Sequence, residues 1–288
     1  MQHKDYMMKK AADYESIGKM LHAMQIYENL IASEPDFTMA YVRLSELYDK
    51  LNKAESACKL LLDYIEIHPE DKEVKLYLGQ LYLKHFKWNE AIDVLSVIFP
   101  DEQPIVLFFL GYAYFMLQDY EIARLNYESF LNVNTNPDFQ AESFIYISKI
   151  HIELNEYDEA LNSAIKAEEI TSSNWEVHLL YGKIYYLKGM YTHSINALKK
   201  ALKYNNEELS IFEWMGKSYL KLGDYMNAEK SFLECISIAE PSSETYSYLG
   251  FVCLSTRKMD KAIEYFEKAL TLDPSNPMAI DGKNKCNV

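Results

Sequence analysis

The sequence predicts an all-α solenoid of antiparallel helix pairs, on three observations. The chain resembles itself at a step of 34 residues. Each step holds two apolar patterns of 3.6-residue period, each about 13 residues long and split by a short turn. Only 9 Gly and 8 Pro occur in 288 residues, too few for an all-β chain with many tight turns. The 49% hydrophobic and 25% charged content is that of a packed protein, not a disordered one.

The repeat is plainest in windows 175–208, 209–242 and 243–276. Gly182, Gly216 and Gly250 align in the first halves, and Ser194, Ala228 and Ala262 in the second halves. Four residues later come Leu198, Phe232 and Phe266. Earlier windows begin at 4, 38, 72, 104 and 141, which makes eight over 4–276. In the seventh, Phe212, Met215, Tyr219 and Leu222 define one helical face. Gly223 and Asp224 end that helix and start the next, on which Tyr225, Ala228, Phe232 and Cys235 form the second face. Small residues let the two helices approach, and one hairpin buries its apolar faces only by stacking on neighbours. The polar stretch 277–288 reads as a capping helix or a frayed tail.

Two irregularities interrupt the spacing. The step from 72 to 104 is 32 residues, with Pro100 and Pro104 shortening the second helix of that window. The step from 104 to 141 is 37, with 134–138 (NTNPD) as an extended link. The solenoid is expected to be distorted around the fourth repeat. Phe144 and Ala160 resume the pattern at once, which argues against a domain break.

The columns resemble those of the tetratricopeptide repeat. The last window carries that pattern as Tyr246, Leu249, Gly250, Ala262, Phe266, Ala269 and Pro274, with Cys253 where Tyr is usual. The second carries Tyr41, Leu44, Tyr48, Ala57 and Pro69, with Ser45 in place of Gly. Eight registers over 4–276 extend the resemblance to nearly the whole chain. It implies a right-handed superhelix whose first helices line a concave groove for peptides or partner helices. Family members that bind chaperone C-termini use a Lys/Asn/Arg carboxylate clamp. The residues after the column glycines here are Gln80, Tyr112, Lys183, Lys217 and Phe251, with no Asn among them.

No reaction centre is legible. The glycines fall in two repeat columns, apart from Gly282, which leaves none to cradle a phosphate. None of the seven His has a His or Cys at helical ligand spacing. His151 and His178 stand in core columns and read as satisfied, packed histidines. Cys58, Cys235 and Cys253 read as small core hydrophobes, and Cys286 as a tail thiol. Carboxylate pairs such as Glu168–Glu169 and Glu207–Glu208 read as solvated surface. The chain is therefore read as non-enzymatic, with no cofactor and no metal. A net charge of −14 repels phosphate backbones and argues against nucleic acid. The longest apolar stretch, 105–117, is too short to span a bilayer. No secretory signal is visible, and the expected location is the cytoplasm.

The groove is expected on the first-helix face turned away from the paired helix: the second, fifth, ninth, twelfth and thirteenth window positions. In the third window these include Leu76 and Leu83, and in the fourth Phe108, Tyr112, Phe115 and Met116. The fifth offers Ile145, Lys149 and Ile152, and the sixth Leu179, Lys183 and Tyr186. The seventh adds Lys217 and Lys221. An exposed apolar strip of this kind marks an interaction surface. Lys149, Lys183 and Lys217 share one column and suit an acidic partner. The expected function is a scaffold or adaptor holding a protein or peptide with apolar and acidic side chains. The alternatives are a self-assembling or structural subunit using its end repeats or convex face, and a regulatory subunit of an enzyme supplied in trans.

Overall fold

The structure, a computed structural model, describes residues 2–134, 136–240 and 242–286. The described residues form seventeen helices and no strand. The chain divides into two compact units, Met1–Thr135 and Asn136–Val288. The first unit holds α1 (Gln2–Ser16), α2 (Met20–Ser33), α3 (Thr38–Lys50), α4 (Ala54–Ile67), α5 (Lys72–Lys84), α6 (Trp88–Leu95), α7 (Ile105–Met116) and α8 (Tyr120–Val133). The second holds α9 (Pro137–Glu153), α10 (Tyr157–Ile170), α11 (Trp175–Leu187), α12 (Tyr191–Tyr204), α13 (Leu209–Leu222), α14 (Tyr225–Ile238), α15 (Ser243–Ser255), α16 (Met259–Leu272) and α17 (Pro277–Cys286). Within each unit consecutive helices pair and stack, so the fold class is an all-α helical-repeat solenoid.

Each pair turns through one residue in the left-handed region. At Gly223 (φ 76°) this carries no Cβ penalty. Phe86 adopts the same conformation (φ 59°) at a cost of roughly 1–2 kcal/mol. The next amide then closes the turn, as from Lys87 N to Tyr82 O at 2.9 Å and from Asp224 N to Tyr219 O at 3.0 Å.

The column glycines serve close approach. A Cβ on Gly250 would sit 2.5 Å from Phe266 Cε1, and one on Gly182 would sit 2.4 Å from Leu198 Cδ2. Where the fifth window carries Ser148, Ala164 stands opposite in place of the large residue. The Ser148 hydroxyl donates to the Ala160 carbonyl at 2.8 Å. Ala262 is fully buried with Cys253, Phe266 and Ala279. Ala262→Leu is expected to cost about 1–3 kcal/mol by overpacking, and a melting series showing no loss would remove it from this contact.

The region around the fourth repeat differs from expectation. α6 has 8 residues where α4 and α8 have 14. The segment 134–138 is not an extended link throughout. Asn136 caps α9 by accepting from Asp138 N at 2.9 Å, and Pro137 takes the first helical position, where its missing N–H and fixed φ are no handicap. α9 therefore begins at Pro137, four residues before the window starting at 141. Asn134 is extended, and Thr135 lies outside the described residues. The division between the units falls here. Phe144 and Ala160 pack with Val177 and Tyr181 of their own unit.

The stretch 277–286 is helical, and it seats Ala279 and Gly282 on the last pair. No described helix is long and apolar enough to cross a membrane.

Candidate functional site

The repeat phase of α9, α11, α13 and α15 sets Lys149, Lys183 and Lys217 on matching positions of three helices in the second unit. Each ammonium is held by an aromatic ring and a carboxylate. Lys149 Nζ lies 2.6 Å from Glu176 Oε1 and 4.6 Å from the Tyr146 ring centre. Lys183 Nζ lies 3.5 Å from Glu153 Oε1 and 5.8 Å from the Trp214 ring centre. Lys217 bonds to Glu213, and its Nζ stands 4.6 Å from Trp214 and 5.2 Å from Tyr248. Trp214 thus carries two cations, an arrangement worth about 0.5–2 kcal/mol per contact, more as water is excluded. Tyr186 meets Trp214 edge-on at 5.1 Å and Tyr191 at 5.5 Å.

Electrostatics follow from this packing. Burial is the largest single influence on the Lys217 ammonium and would lower it, but the hydrogen bond and charge of Glu213, with Tyr248 and Glu244, together outweigh it and hold the group above its ordinary value. Burial raises the Tyr186 and Tyr248 phenols, so both remain protonated near neutrality. The surface combines aromatic faces with intramolecular ion pairs.

The apolar strip expected on the first helices is only partly open. Leu83, Phe108, Ile145 and Ile152 are buried, each 7% exposed or less, which corrects their placement on an open surface. Leu83 belongs to the core of the first unit, and Ile145 and Ile152 to a core cluster of the second. Phe108 lies among Phe109, Tyr127 and Phe130. Leu76 is half-buried against the first unit's core, and Leu179 against Leu198 and Ile211. Tyr112 is half-buried and meets Trp88 edge-on at 5.8 Å; Phe115 packs near Tyr120 at 5.9 Å. Met116 and Lys221 are exposed. The three column lysines are neutralised within the chain rather than standing as an open cationic row.

Sequence reasoning missed Trp214, Tyr248, Glu153 and Glu176. The signal for part of this was present: Glu213 and Lys217 are spaced i, i+4, and Trp214 and Lys217 i, i+3, so they share a helix surface. The histidine reading also needs correction. His151 is packed and satisfied, its Nδ1 2.6 Å from Glu156 Oε2, whereas His178 is packed with Nδ1 lacking any hydrogen bond. Glu168 is not plain solvated surface, since it accepts from the Tyr181 hydroxyl at 2.8 Å. Cys58, Cys235 and Cys253 are free and buried, and burial pushes the Cys235 thiol up to about 12.

Tetratricopeptide-repeat family models match 39–71, 209–241 and 243–276, and a model described as TPR repeat matches 182–223. Among curated proteins, Anaphase-promoting complex subunit 3 of Schizosaccharomyces pombe is 22% identical over 235 residues, covering 70% of this chain and 35% of that protein. Hsp70-Hsp90 organizing protein 3 of Arabidopsis thaliana is 24% identical over 169 residues, covering 59% and 28%. TPR repeat-containing protein MJ1428 of Methanocaldococcus jannaschii is 34% identical over 125 residues, covering 43% and 22%. The chain thus spans about a third or less of the length of these relatives. The fold is shared with the crystal structure of the APC/C hetero-tetramer Cut9-Hcn1, at TM-score 0.70 and 16% identity over 93% of this chain and 52% of that one. A tetratricopeptide repeat protein from Parabacteroides merdae aligns over the full length of both chains, at TM-score 0.52 and 15% identity. Tetratricopeptide repeats are thus recognised at 39–71, 182–241 and 243–276, and helix pairs occupy the interval between the first two of these stretches.

Proposed function

We propose that the chain is a non-enzymatic protein-interaction scaffold. It receives an extended peptide or a helix of a partner protein on the first-helix face of the second unit. The observation that carries this reading is the plate formed by Trp214, with Lys183 and Lys217 on the ring and Tyr186 against its edge. Trp, Tyr and paired cations at a partly desolvated centre are the composition of an interaction hot spot. The partner sets an apolar side chain against Tyr186 and Trp214. Its carboxylates take over the lysines from Glu153 and Glu213. The Glu153–Lys183 pair is the readier to exchange, because its 3.5 Å separation is long and the Glu153 side chain is 41% exposed. An acidic, apolar-anchored segment is therefore the partner chemistry that fits. The free, buried thiols are in keeping with a reducing compartment such as the cytoplasm.

The test is capture by cross-linking from the native cell, with partners read by mass spectrometry, then repeated with Tyr186→Ala combined with Trp214→Ala. Capture is expected to fall roughly tenfold or more, about 1.4 kcal/mol, while helicity by circular dichroism persists. Undiminished capture by the folded double variant refutes the assignment.

A further inference from the structure

The second unit holds a cavity of about 370 Å³ among α10, α11 and α12, lined in part by Leu161, Glu168, His178, Tyr181, Tyr185 and Lys200. One of its walls is unfinished. Glu168 uses one carboxylate oxygen to accept from Tyr181. The other, Oε1, stands 3.9 Å from His178 Nδ1, beyond hydrogen-bond range. The His178 side chain is 5% exposed, and its Nδ1 has no partner. Its ring is fixed by stacking on Tyr204 at 5.7 Å and 15°. A buried polar atom left unpaired is destabilising. Packing does not call for one here, since the same window position carries Tyr41, Phe144, Phe212 and Tyr246 elsewhere.

The chemistry of the wall indicates what is missing. Burial holds the His178 imidazole below its ordinary value, so it is neutral near pH 7, and with the proton on Nε2 its Nδ1 is an acceptor. In that tautomer the wall presents two acceptors facing one another, and in either tautomer the Glu168 carboxylate has no ammonium or guanidinium bonded to it among the described residues. At His178 the Glu168 carboxylate outweighs the Lys200 ammonium. The Tyr181 phenol is raised by burial first, then by Glu168, Tyr185 and Glu169, so the field at the buried end is negative. The Tyr181 and Tyr185 rings lie nearly parallel, 6.3 Å apart, and offer π-faces. Among the described residues of the lining, the exposed Lys200 ammonium opposes a basic guest, and the His193 imidazole stands 5.6 Å from the Tyr185 ring.

We propose that this cavity receives a basic side chain, an arginine or a lysine, of a partner protein. The cation lies against the Tyr181 and Tyr185 rings and donates to Glu168. A small swing of the 39%-exposed Glu168 side chain brings His178 Nδ1 into the same bond network. The net charge of −14 also draws a basic partner by its long-range field. This site uses a different face from the Trp214 plate, so either assignment stands if the other fails.

The probe is the capped peptide Ac-Ala-Ala-Arg-Ala-Ala-NH2, titrated into the full chain and followed by the ring resonances of His178 and Tyr185. Saturable shifts at both are expected. The citrulline analogue, neutral and of the same shape, is expected to cause none. Glu168→Gln is expected to weaken binding roughly tenfold, and Lys200→Ala to tighten it about two- to threefold by removing the opposing charge. Helicity and melting of each variant are measured alongside. Should Glu168→Gln not fold, the citrulline comparison and Lys200→Ala still decide. The proposal is overturned by absence of saturable shifts, by equal shifts with citrulline, or by weaker binding on Lys200→Ala. It is equally overturned if a glutamate analogue binds in place of arginine.

Discussion

Phe108→Ala is expected to destabilise the first unit by about 3–5 kcal/mol, rather than to remove partner binding from a folded chain. The residue lies in α7 and is 6% exposed. Its ring centre is 5.5 Å from that of Tyr127 at 78° and 5.5 Å from that of Phe130 at 56°. Tyr127 and Phe130 are themselves 0% and 1% exposed, so the vacated space is walled by buried rings that collapse only in part. A control in the same helix is Met116→Ala, 38% exposed, where the change is expected to stay within about 0.5 kcal/mol. Urea unfolding of the two variants checks both. The contrast also guards against misreading a binding assay: lost capture by Phe108→Ala would report an unfolded unit, whereas lost capture by the Tyr186 and Trp214 variant with retained helicity would not. Wild-type stability for Phe108→Ala would contradict its burial.

That contrast locates what was legible in the sequence. Helix starts at Thr38, Lys72, Trp175, Leu209 and Ser243 coincide with window starts, because the apolar period and the turn residues are local signals. The glycine column was equally legible, since only a missing Cβ admits Leu198 or Phe266 so close to the neighbouring helix. Side-chain exposure was not. The expected groove positions are those turned away from the paired helix, but α3, α5, α9, α11 and α13 each also touch the first helix of the next repeat. In the fifth window the fifth and twelfth positions pack there, which buries Ile145 and Ile152 with Val177 and Ile184, whereas Phe108 is buried against Tyr127 and Phe130 of its own paired helix. The ninth position stays at the face, and it carries Lys149, Lys183 and Lys217. The α9 start was misplaced because the Asn136–Pro137 cap lies upstream of the apolar pattern that defined the window. His178 was read as satisfied because a column position fixes burial and says nothing of the hydrogen-bond partner.

Phe266→Ala is expected to cost about 3–5 kcal/mol and to loosen α17 first. Phe266 is fully buried, and its ring lies between two helix backbones. A Cβ on Gly250 would stand 2.5 Å from Cε1, and one on Gly282 only 2.2 Å from Cζ. Removing the ring therefore takes contact from α15 and α17 together. Among the described helices α17 packs only on α15 and α16, which also pack on each other, so α17 is expected to fray before α15 and α16 separate. Hydrogen exchange of α17 amides against those of α15 reads this order directly. Gly282→Ala probes the same contact from the other side, with opposing effects of known size. Helix propensity favours Ala by about 1 kcal/mol, while overpacking costs about 1–3 kcal/mol. The ring cannot retreat, because Gly250 already stands against it, so net destabilisation is expected. In the double variant with Phe266→Ala the added methyl meets no ring, and the combined cost should fall below the sum of the two. Additive costs, or a more stable Gly282→Ala, would mean that α17 does not close over Phe266.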